Sequence, residues 1–282
     1  LMIFSDKGEL YKYIPDNVTI LRGNIFTKLM GLSQEEARRS GILTYALRSL
    51  FALLTRIFTT RVTFGILTRL CHIRKEYDMA VSYMQNNDSR MFYGGCAEFV
   101  RHSVKSKNKV CFIHCDFLNY GGNNTYNRHI LSGFDKIAAV SESVGRQVNK
   151  ALPCMSDKTF IVHNCIDYDE IKRLGYEYEA EYSDVLVNLF TAARISEEKG
   201  IIRMLPILEK MKDDGFVWRI AGEGPDADRA RRLVAECGLE DRVIFLGKLV
   251  NPYPYFKKSD IVLVPSYNEA APMVFGEAEV FG

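Results

Sequence analysis

The sequence predicts an α/β protein of two units, each with strands and helices in alternation. Short apolar runs alternate with longer helical patterns along the 282 residues, and this spacing indicates βαβ units. A polar, acidic stretch at 175–184 separates two such patterns. We therefore predict one unit over 1–180 and a second over 181–282, a division that suits the usual size of domains.

The elements follow from the apolar runs in chain order. Strands are predicted at 1–4, 79–83, 110–114, 136–140, 159–162, 186–193, 216–221, 242–247 and 261–265. Helices are predicted at 35–58, 92–102, 126–131, 142–151 and 201–212, with another opened by Pro272. The chain begins inside an apolar strand without Met and stops five residues after Glu277. We expect a fragment truncated at both ends, with both units incomplete.

Two glutamates, Glu269 and Glu277, stand eight positions apart near the C-terminus. The apolar run 261–265 precedes them, and Pro272 can open the helix that follows. Glu269 is therefore expected in a strand-to-helix loop, and Glu277 about one turn inside the helix. Open α/β sheets bind ligands at the carboxyl ends of their strands, so the pair indicates a ligand site.

Further landmarks precede the glutamates. Arg194-Ile-Ser-Glu-Glu-Lys199-Gly200 follows one strand, Gly222-Glu-Gly follows the next, and a third strand ends at Gly247. With these landmarks in this order, residues 185–282 resemble the retaining glycosyltransferases of the GT-B fold, glycosyltransferase family 4 (group 1). The residues before 185 resemble the family more loosely. It implies two Rossmann-like domains that face each other across a cleft.

The resemblance implies transfer of a sugar from a nucleotide diphosphate sugar to a glycan or lipid-linked acceptor, a hexosyltransferase reaction of polysaccharide synthesis. Negative charge grows on the leaving diphosphate, and fixed cations stabilise it. By the resemblance, Arg194 and Lys199 bind that diphosphate, and neither a metal nor another cofactor is obligatory. Glu269 would contact the donor sugar near the reacting centre. Glu277 would accept hydrogen bonds from the ribose.

The same resemblance extends the donor-binding set. Its further members are Gly222, Glu223, Lys248, Ala271, Pro272 and Met273. One departure concerns Ala270-Ala271, where the family often has Gly-Phe. Backbone N–H contacts survive an alanine unless the loop needs a positive φ, so the departure leaves the fold intact and the donor sugar open.

A predicted strand end in the first half carries His114, within Ile-His-Cys-Asp-Phe. The resemblance places a histidine here facing the donor sugar and the acceptor, so we predict His114 as catalytic. Asp116 and Gly122, the latter in the turn that begins at Tyr120, are predicted on the acceptor side of the cleft. A hydrogen-bonded structural histidine is the alternative.

The cysteine pattern argues against a metal site. Cys111 and Cys115 flank His114, but neighbouring residues of a strand point to opposite faces. The seven cysteines include no Cys-x2-Cys pair, and their odd number does not suit a disulfide framework. We expect reduced, buried thiols.

Charge is unevenly distributed. The net charge of +2 gives no indication of nucleic-acid binding, but 37–75 contains arginines and no Asp or Glu. Apolar residues interleave at helical spacing (Leu47, Leu50, Phe51, Leu54, Ile57 and Phe58). The stretch suits an anionic membrane surface, with Arg48, Arg56 and Arg61 facing outward. A core-facing helix with an arginine-rich outer face is the alternative.

These patterns predict a cytoplasmic enzyme, peripheral on the inner face of a membrane. Two rival functions stay open. A GT-B sugar-nucleotide epimerase would share the fold and the nucleotide cleft but would not be expected to combine the two glutamates with Arg194 and Lys199. A catalytically inactive sugar-nucleotide-binding subunit is the other, and Ala270-Ala271 is its only indication.

Overall fold

The computed structural model describes residues 1–5, 11, 13–86, 88–119 and 121–282. It divides into two compact units, Leu1–His163 and Asn164–Gly282. The division predicted at 180–181 falls inside the second unit, because a helix that precedes it, Tyr168–Leu174, packs against the helix Tyr253–Lys258. The side-chain amide of Asn251 donates to the carbonyl oxygen of Leu174 at 2.9 Å and holds this contact.

The first unit is built around a parallel β-sheet whose strands are connected by helices. Its described elements are β1 Met2–Ile3, β2 Leu21–Arg22, α1 Ile25–Gly31, α2 Gln34–Arg39, α3 Ile42–Leu67, β3 Ile73–Ser82, α4 Cys96–Ser103, β4 Val104–Ile113, α5 Thr125–Leu131, β5 Lys136–Ala139, α6 Glu142–Ala151 and β6 Thr159–Ile161. The main sheet has the order β3-β4-β5-β6, and β1 pairs with β2. Because each main strand pairs with the next in sequence, a helix crosses between each pair of neighbours, as parallel sheets require.

The helical pattern predicted over 35–58 is two helices. Gly41 separates α2 from α3 with a φ of +114°, a conformation that glycine adopts without steric cost. Helix α3 then continues beyond the predicted end and bends at Thr59, where φ is +65°. At the bend the N–H of Thr60 donates to the carbonyl oxygen of Ser89 at 2.6 Å.

Helix α3 has one face in the core and one face exposed. Arg48, predicted to face outward, is buried, with Nε 2.7 Å from the carbonyl oxygen of Leu32 and Nη2 3.1 Å from that of Phe92. That prediction was wrong, because these two carbonyls bind the guanidinium inside the unit. The exposed large apolar side chains of α3 are Ile42, Leu43, Leu50, Leu53, Ile57, Phe58, Val62 and Ile66. Within the described residues, Ile42–Leu70 is long and apolar enough to cross a membrane by length and composition, and 33% of its most apolar window is buried.

The second unit repeats the α/β arrangement. Its described elements are α7 Tyr168–Leu174, β7 Val187–Ala192, α8 Ile201–Lys210, β8 Phe216–Ala221, α9 Ala227–Glu236, β9 Val243–Gly247, α10 Tyr253–Lys258, β10 Ile261–Val262 and α11 Met273–Glu279. Trp218 lies at the centre of the core, and its indole N–H donates to Oγ1 of Thr191 at 2.9 Å. Helix α9 was not predicted, although its buried residues Ala230 and Val234 have helical spacing.

The strand order of the second sheet reverses at β7. The order is β10-β7-β8-β9, all parallel, so the chain leaves β7 toward β8 on one side while β10 pairs on the other. At such a reversal the loops beyond the strand ends diverge and leave a crevice where α/β proteins bind ligands. The loops after β7 and β10 frame that crevice here.

Candidate active site

The crevice at the strand-order reversal contains a cavity of about 310 Å³. Ala192 and Ala193 at the end of β7 line one side, and the loop after β10 lines the other. Predicted site residues that line it are Lys199, Glu269, Ala271, Pro272, Met273 and Glu277. Folding therefore brings the two glutamates and a lysine from a different strand end into one cavity.

Glu269 and Lys199 form the polar centre of this cavity. Nζ of Lys199 lies 2.6 Å from Oε1 of Glu269, and the hydroxyl of Ser266 donates to the same oxygen at 2.6 Å. Both charged side chains are largely buried, at 29% and 24% exposed. Ser266 had no predicted role, although it opens the glutamate segment. Together the hydrogen bonds from Ser266 and Lys199 fix the orientation of the Glu269 carboxylate.

Gly200 allows the close approach of the two loops. Its φ is +66°, and a Cβ there would lie 2.1 Å from the carbonyl oxygen of Pro265. Only glycine satisfies both conditions. The turn that carries Lys199 thus packs directly on the segment that leads to Glu269.

Glu277 lies on α11, inside the helix as predicted, and lines the same cavity. Its Oε1 accepts a hydrogen bond from the hydroxyl of Tyr253 at 3.3 Å. Burial raises the pKa of Glu277, and the Tyr253 hydrogen bond only partly opposes this. Burial and the nearby carboxylate raise the pKa of Tyr253 to about 12. Sequence analysis missed Tyr253, because α10 brings it from a segment without a local motif.

Arg194 lies apart from the cavity lining. Its guanidinium is mostly exposed and pairs with the carboxylate of Glu198, four residues on. Burial opposes ionisation of Glu198, but hydrogen bonds from its own backbone, Arg194 and Ser196 outweigh it, and the pKa of Glu198 is lowered. The structure places Arg194 one residue beyond Ala193, which lines the cavity.

Three other predicted donor residues, Gly222, Glu223 and Lys248, follow the ends of β8 and β9 and do not line the cavity. Gly222 has a φ of +153°, and a Cβ there would lie 1.9 Å from the carbonyl oxygen of Ala193. The N–H of Ile195 donates to the carbonyl oxygen of Glu223 at 2.9 Å. The β8–α9 turn thus supports the β7–α8 turn, while the side chains of Glu223 and Lys248 are exposed.

His114 belongs to the first unit, directly after β4. Its ring stacks on Phe112, with centroids 5.6 Å apart, and lies 4.6 Å from the ring of Tyr83. Burial lowers the pKa of His114, and a hydrogen bond to the backbone of Tyr83 partly opposes this. Nε2 of His114 is buried without a hydrogen-bond partner among the described residues.

Asp116 and Gly122 shape the loop after β4. The carboxylate of Asp116 accepts from the backbone N–H of Leu118 at 3.1 Å and from the side-chain amide of Asn119 at 2.7 Å. The carbonyl oxygen of Gly122 accepts from the amide of Asn127 at 3.0 Å. Tyr120, in the same predicted turn, lies outside the described residues.

Across the part of the chain that the structure describes, no group of three or more His, Cys, Asp or Glu side chains is arranged to hold a metal ion. All seven cysteines are free thiols, but the expectation that they are buried was wrong for most of them: only Cys111 is fully buried, and Cys154 and Cys165 are exposed. Burial raises the pKa of Cys111 to about 12.

Residues 187–282 match the family of glycosyl transferases group 1. Among curated proteins, N-acetyl-alpha-D-glucosaminyl L-malate synthase of Bacillus anthracis is 25% identical, over 66% of this chain and 51% of its own length. The chain spans between 32% and 51% of the length of the curated relatives it matches.

Solved structures give the same fold. A glycosyltransferase from Rickettsia africae superposes with a TM-score of 0.61 at 15% identity, covering 99% of this chain and 68% of that one. The Anabaena protein HepE, solved in complex with UDP, superposes with a TM-score of 0.51 at 17% sequence identity. The match covers 66% of this chain and 53% of that one. The predicted fold class is confirmed: the chain has the parallel α/β architecture of GT-B glycosyltransferases.

Proposed function

We propose that the protein is a retaining glycosyltransferase of family 4. It would move a hexose from a nucleotide diphosphate sugar to a glycan or lipid-linked acceptor. The observation that carries this proposal is the single cavity at a strand-order reversal that holds Lys199, Glu269 and Glu277 together. The residues around it lie in the segment that matches glycosyl transferases group 1, and a structural neighbour was solved with UDP.

Lys199 is the cation placed to bind the donor's diphosphate. The reaction breaks the bond between the anomeric carbon and the diphosphate, and the electron pair leaves with the nucleotide diphosphate. A fixed ammonium at that oxygen lowers the barrier as the charge grows. Because an ammonium has three N–H donors, Lys199 can bind phosphate oxygens while it keeps Glu269 in place.

The two glutamates take different roles in this proposal. Glu269, oriented by Ser266 at 2.6 Å, contacts the donor sugar near the reacting centre. Glu277, whose Oε1 is held by Tyr253, accepts hydrogen bonds from the ribose hydroxyls. Arg194 assists at the diphosphate, beside the cavity. Positive charge comes from the side chains, so the proposed reaction has no obligatory metal.

The remaining donor residues and the acceptor side stay proposals from the family resemblance. His114, Asp116 and Gly122 of the first unit would face the acceptor. Gly222, Glu223 and Lys248 would complete the donor site. The proposed surroundings are the cytoplasmic face of a membrane, because the exposed apolar face of α3 is flanked by exposed basic residues, among them Arg56 and Arg61.

A panel of nucleotide sugars tests the reaction. We expect one donor to release its nucleotide diphosphate in the presence of a suitable acceptor, with the anomeric configuration retained in the product. Conversion of the donor to an isomer without an acceptor would indicate an epimerase, and binding without turnover would indicate an inactive subunit. Either outcome overturns the proposal.

Vesicle sedimentation tests the membrane contact. Binding should rise with the content of anionic lipid and fall with ionic strength, because salt screens surface charge. Equally poor capture by anionic and neutral vesicles would contradict it.

A further inference from the structure

A second cavity lies in the first unit, between α3, α4 and α5. Its volume is about 680 Å³. Thr59 and Arg61 of α3, Arg69 of the turn after it, His102 of α4, and Thr125 and His129 of α5 line it. The roles proposed above do not use this cavity.

The lining of this cavity is cationic. It contains two arginines, and none of its described lining residues carries a carboxylate. Nη2 of Arg69 lies 3.4 Å from Nδ1 of His102. Burial, Arg69 and the neighbouring Arg101 and Lys109 lower the pKa of His102 to about 4. Burial is the largest cause of this shift, and the positive charges add to it; those same charges favour an anion in the cavity.

The cavity borders the exposed apolar face of α3. Arg61, Gly65 and Arg69 follow one another at four-residue intervals and line the cavity. The adjacent stripe, one residue on and about 100° around the helix, consists of exposed apolar side chains: Val62, Ile66 and Leu70. Gly65 has no side chain between the two arginines; Nη1 of Arg69 donates to its carbonyl oxygen, and both arginines line the cavity. An apolar surface and an anion-binding cavity therefore share an edge.

We propose that this cavity binds the phosphate of a lipid headgroup while the apolar stripe of α3 rests on the membrane. The inference rests on the membrane contact in the proposed function and adds the chemical group that is recognised there. Arginine matches phosphate because its planar fork donates two parallel hydrogen bonds. The hydroxyls of Thr59 and Thr125 supply further donors. Apolar side chains beside the cavity match the acyl chains that accompany such a phosphate.

The test compares two anionic surfaces. Vesicles of digalactosyldiacylglycerol, a neutral lipid without phosphate, would carry either phosphatidic acid or, at matched surface charge, cholesteryl hemisuccinate, whose anion is a carboxylate. We expect the wild-type protein to bind the phosphatidic acid vesicles about tenfold more tightly, the worth of one good charge-assisted hydrogen bond. Equal affinity for the two surfaces would overturn phosphate recognition.

Variants test whether the preference for phosphatidic acid vesicles arises in this cavity. The Arg61→Gln/Arg69→Gln protein should bind both surfaces alike. The control, Arg56→Gln/Arg74→Gln, removes the same charge from exposed positions outside the cavity lining, so it should bind more weakly but keep the preference. Arg69→Lys keeps the charge and removes the fork, and it should lose most of the preference. A preference that survives in a folded Arg61→Gln/Arg69→Gln protein, or in Arg69→Lys if the double variant does not fold, would overturn the assignment.

Two further measurements complete the test. One distinguishes a lipid headgroup from free phosphate as the ligand, and the other distinguishes failure of this inference from failure of the proposed function. Inorganic phosphate and glycerol phosphate, measured by calorimetry without vesicles, should bind far more weakly than phosphatidic acid vesicles. Equally tight binding of soluble phosphate, without competition by vesicles, would show that the cavity takes a free anion and would overturn the lipid source. Nucleotide release from the donor panel without vesicles reports on the proposed transfer reaction and does not depend on the headgroup cavity. Failure there with intact vesicle selectivity would reject the glycosyltransferase and leave the headgroup site standing.

Discussion

The two cavities balance their charge in different ways. In the second unit, Lys199 is paired with Glu269 at 2.6 Å, and a second carboxylate, Glu277, lines the same space. In the first unit, Arg61 and Arg69 line a larger cavity whose described lining has no acid. In the proposed reaction the paired lysine contacts a diphosphate that then leaves, while Glu269 stays in place, which suits turnover. A cationic cavity with no acid in its described lining gains most from an anion that stays, which suits attachment.

The largest effect expected from this comparison is that of Lys199→Met. If the paired lysine stabilises the leaving diphosphate, kcat/KM should fall about 10²-fold to 10³-fold, or roughly 3–4 kcal/mol of transition-state stabilisation. Steady-state kinetics with varied donor would measure it. Lys212→Met removes an exposed charge beyond the end of α8 and should change kcat/KM less than twofold. A similar small change for Lys199→Met would remove the lysine from the proposed mechanism.

The second prediction concerns the close approach that builds the paired cavity. Gly200→Ala should lower the free energy of unfolding by about 3 kcal/mol, because it adds strain at a positive φ and a clash with the Pro265 carbonyl. Gly238 is a matched control, with a φ of +62° and no atom within 4 Å of an added Cβ. Gly238→Ala should cost about 1 kcal/mol. Urea unfolding of both variants measures the difference, and equal losses would show that the loop contact is not tight.

The third prediction concerns the buried carboxyl of the first unit. Burial raises the pKa of Glu98 from its usual 4.5 to about 7, although hydrogen bonds from its backbone, Asn86 and Tyr126 and the charge of Arg101 oppose this. Because the folded state holds the proton more tightly than the unfolded chain, stability should fall as the pH rises from about 4.5 to about 7. One pKa unit is worth about 1.4 kcal/mol, so the loss is at most about 3 kcal/mol.

The Glu98→Gln variant separates the contribution of Glu98 to the pH dependence of stability from that of the other titrating groups. Its stability should vary less with pH over the same window than that of the wild type, as measured by urea unfolding at a series of pH values. Parallel pH profiles for the two proteins would show that Glu98 ionises normally.

The smallest effects should separate the two glutamates. Glu277→Gln should raise KM for the donor about 3-fold to 10-fold, the worth of a hydrogen bond to the ribose, with little change in kcat. Glu269→Gln should mainly lower kcat, because it acts near the reacting centre. Steady-state kinetics with varied donor tests both, and the reverse pattern would mean that the two roles are exchanged.

Much of the second unit could be predicted from the sequence, because its signals are local. Strands β7 and β8 are mainly apolar runs buried in a parallel sheet, β9 is an apolar run at the edge of that sheet, and the start of α8 is set by Gly200. Helices α7 and α9 were missed, because charged residues surround the few residues that each buries. Helix α10 was missed because it has only six residues, with prolines at its start. In the first unit, the outward orientation predicted for Arg48 on α3 was wrong. The apolar residues of α3 face both the core and solvent, so their helical spacing does not show which side of the helix is buried.

The sequence by itself determined the α/β class, the strand-to-helix loop that carries Glu269, and the position of Glu277 inside α11. These depend on periodicity and turn chemistry over a few residues. The tertiary structure alone decided that Lys199 reaches Glu269 across 70 residues of chain, that Tyr253 holds Glu277, and that Arg48 is buried while Arg61 and Arg69 line a cavity. Those pairings depend on strand order and helix rotation, which are set by packing between distant segments and leave no local mark in the sequence.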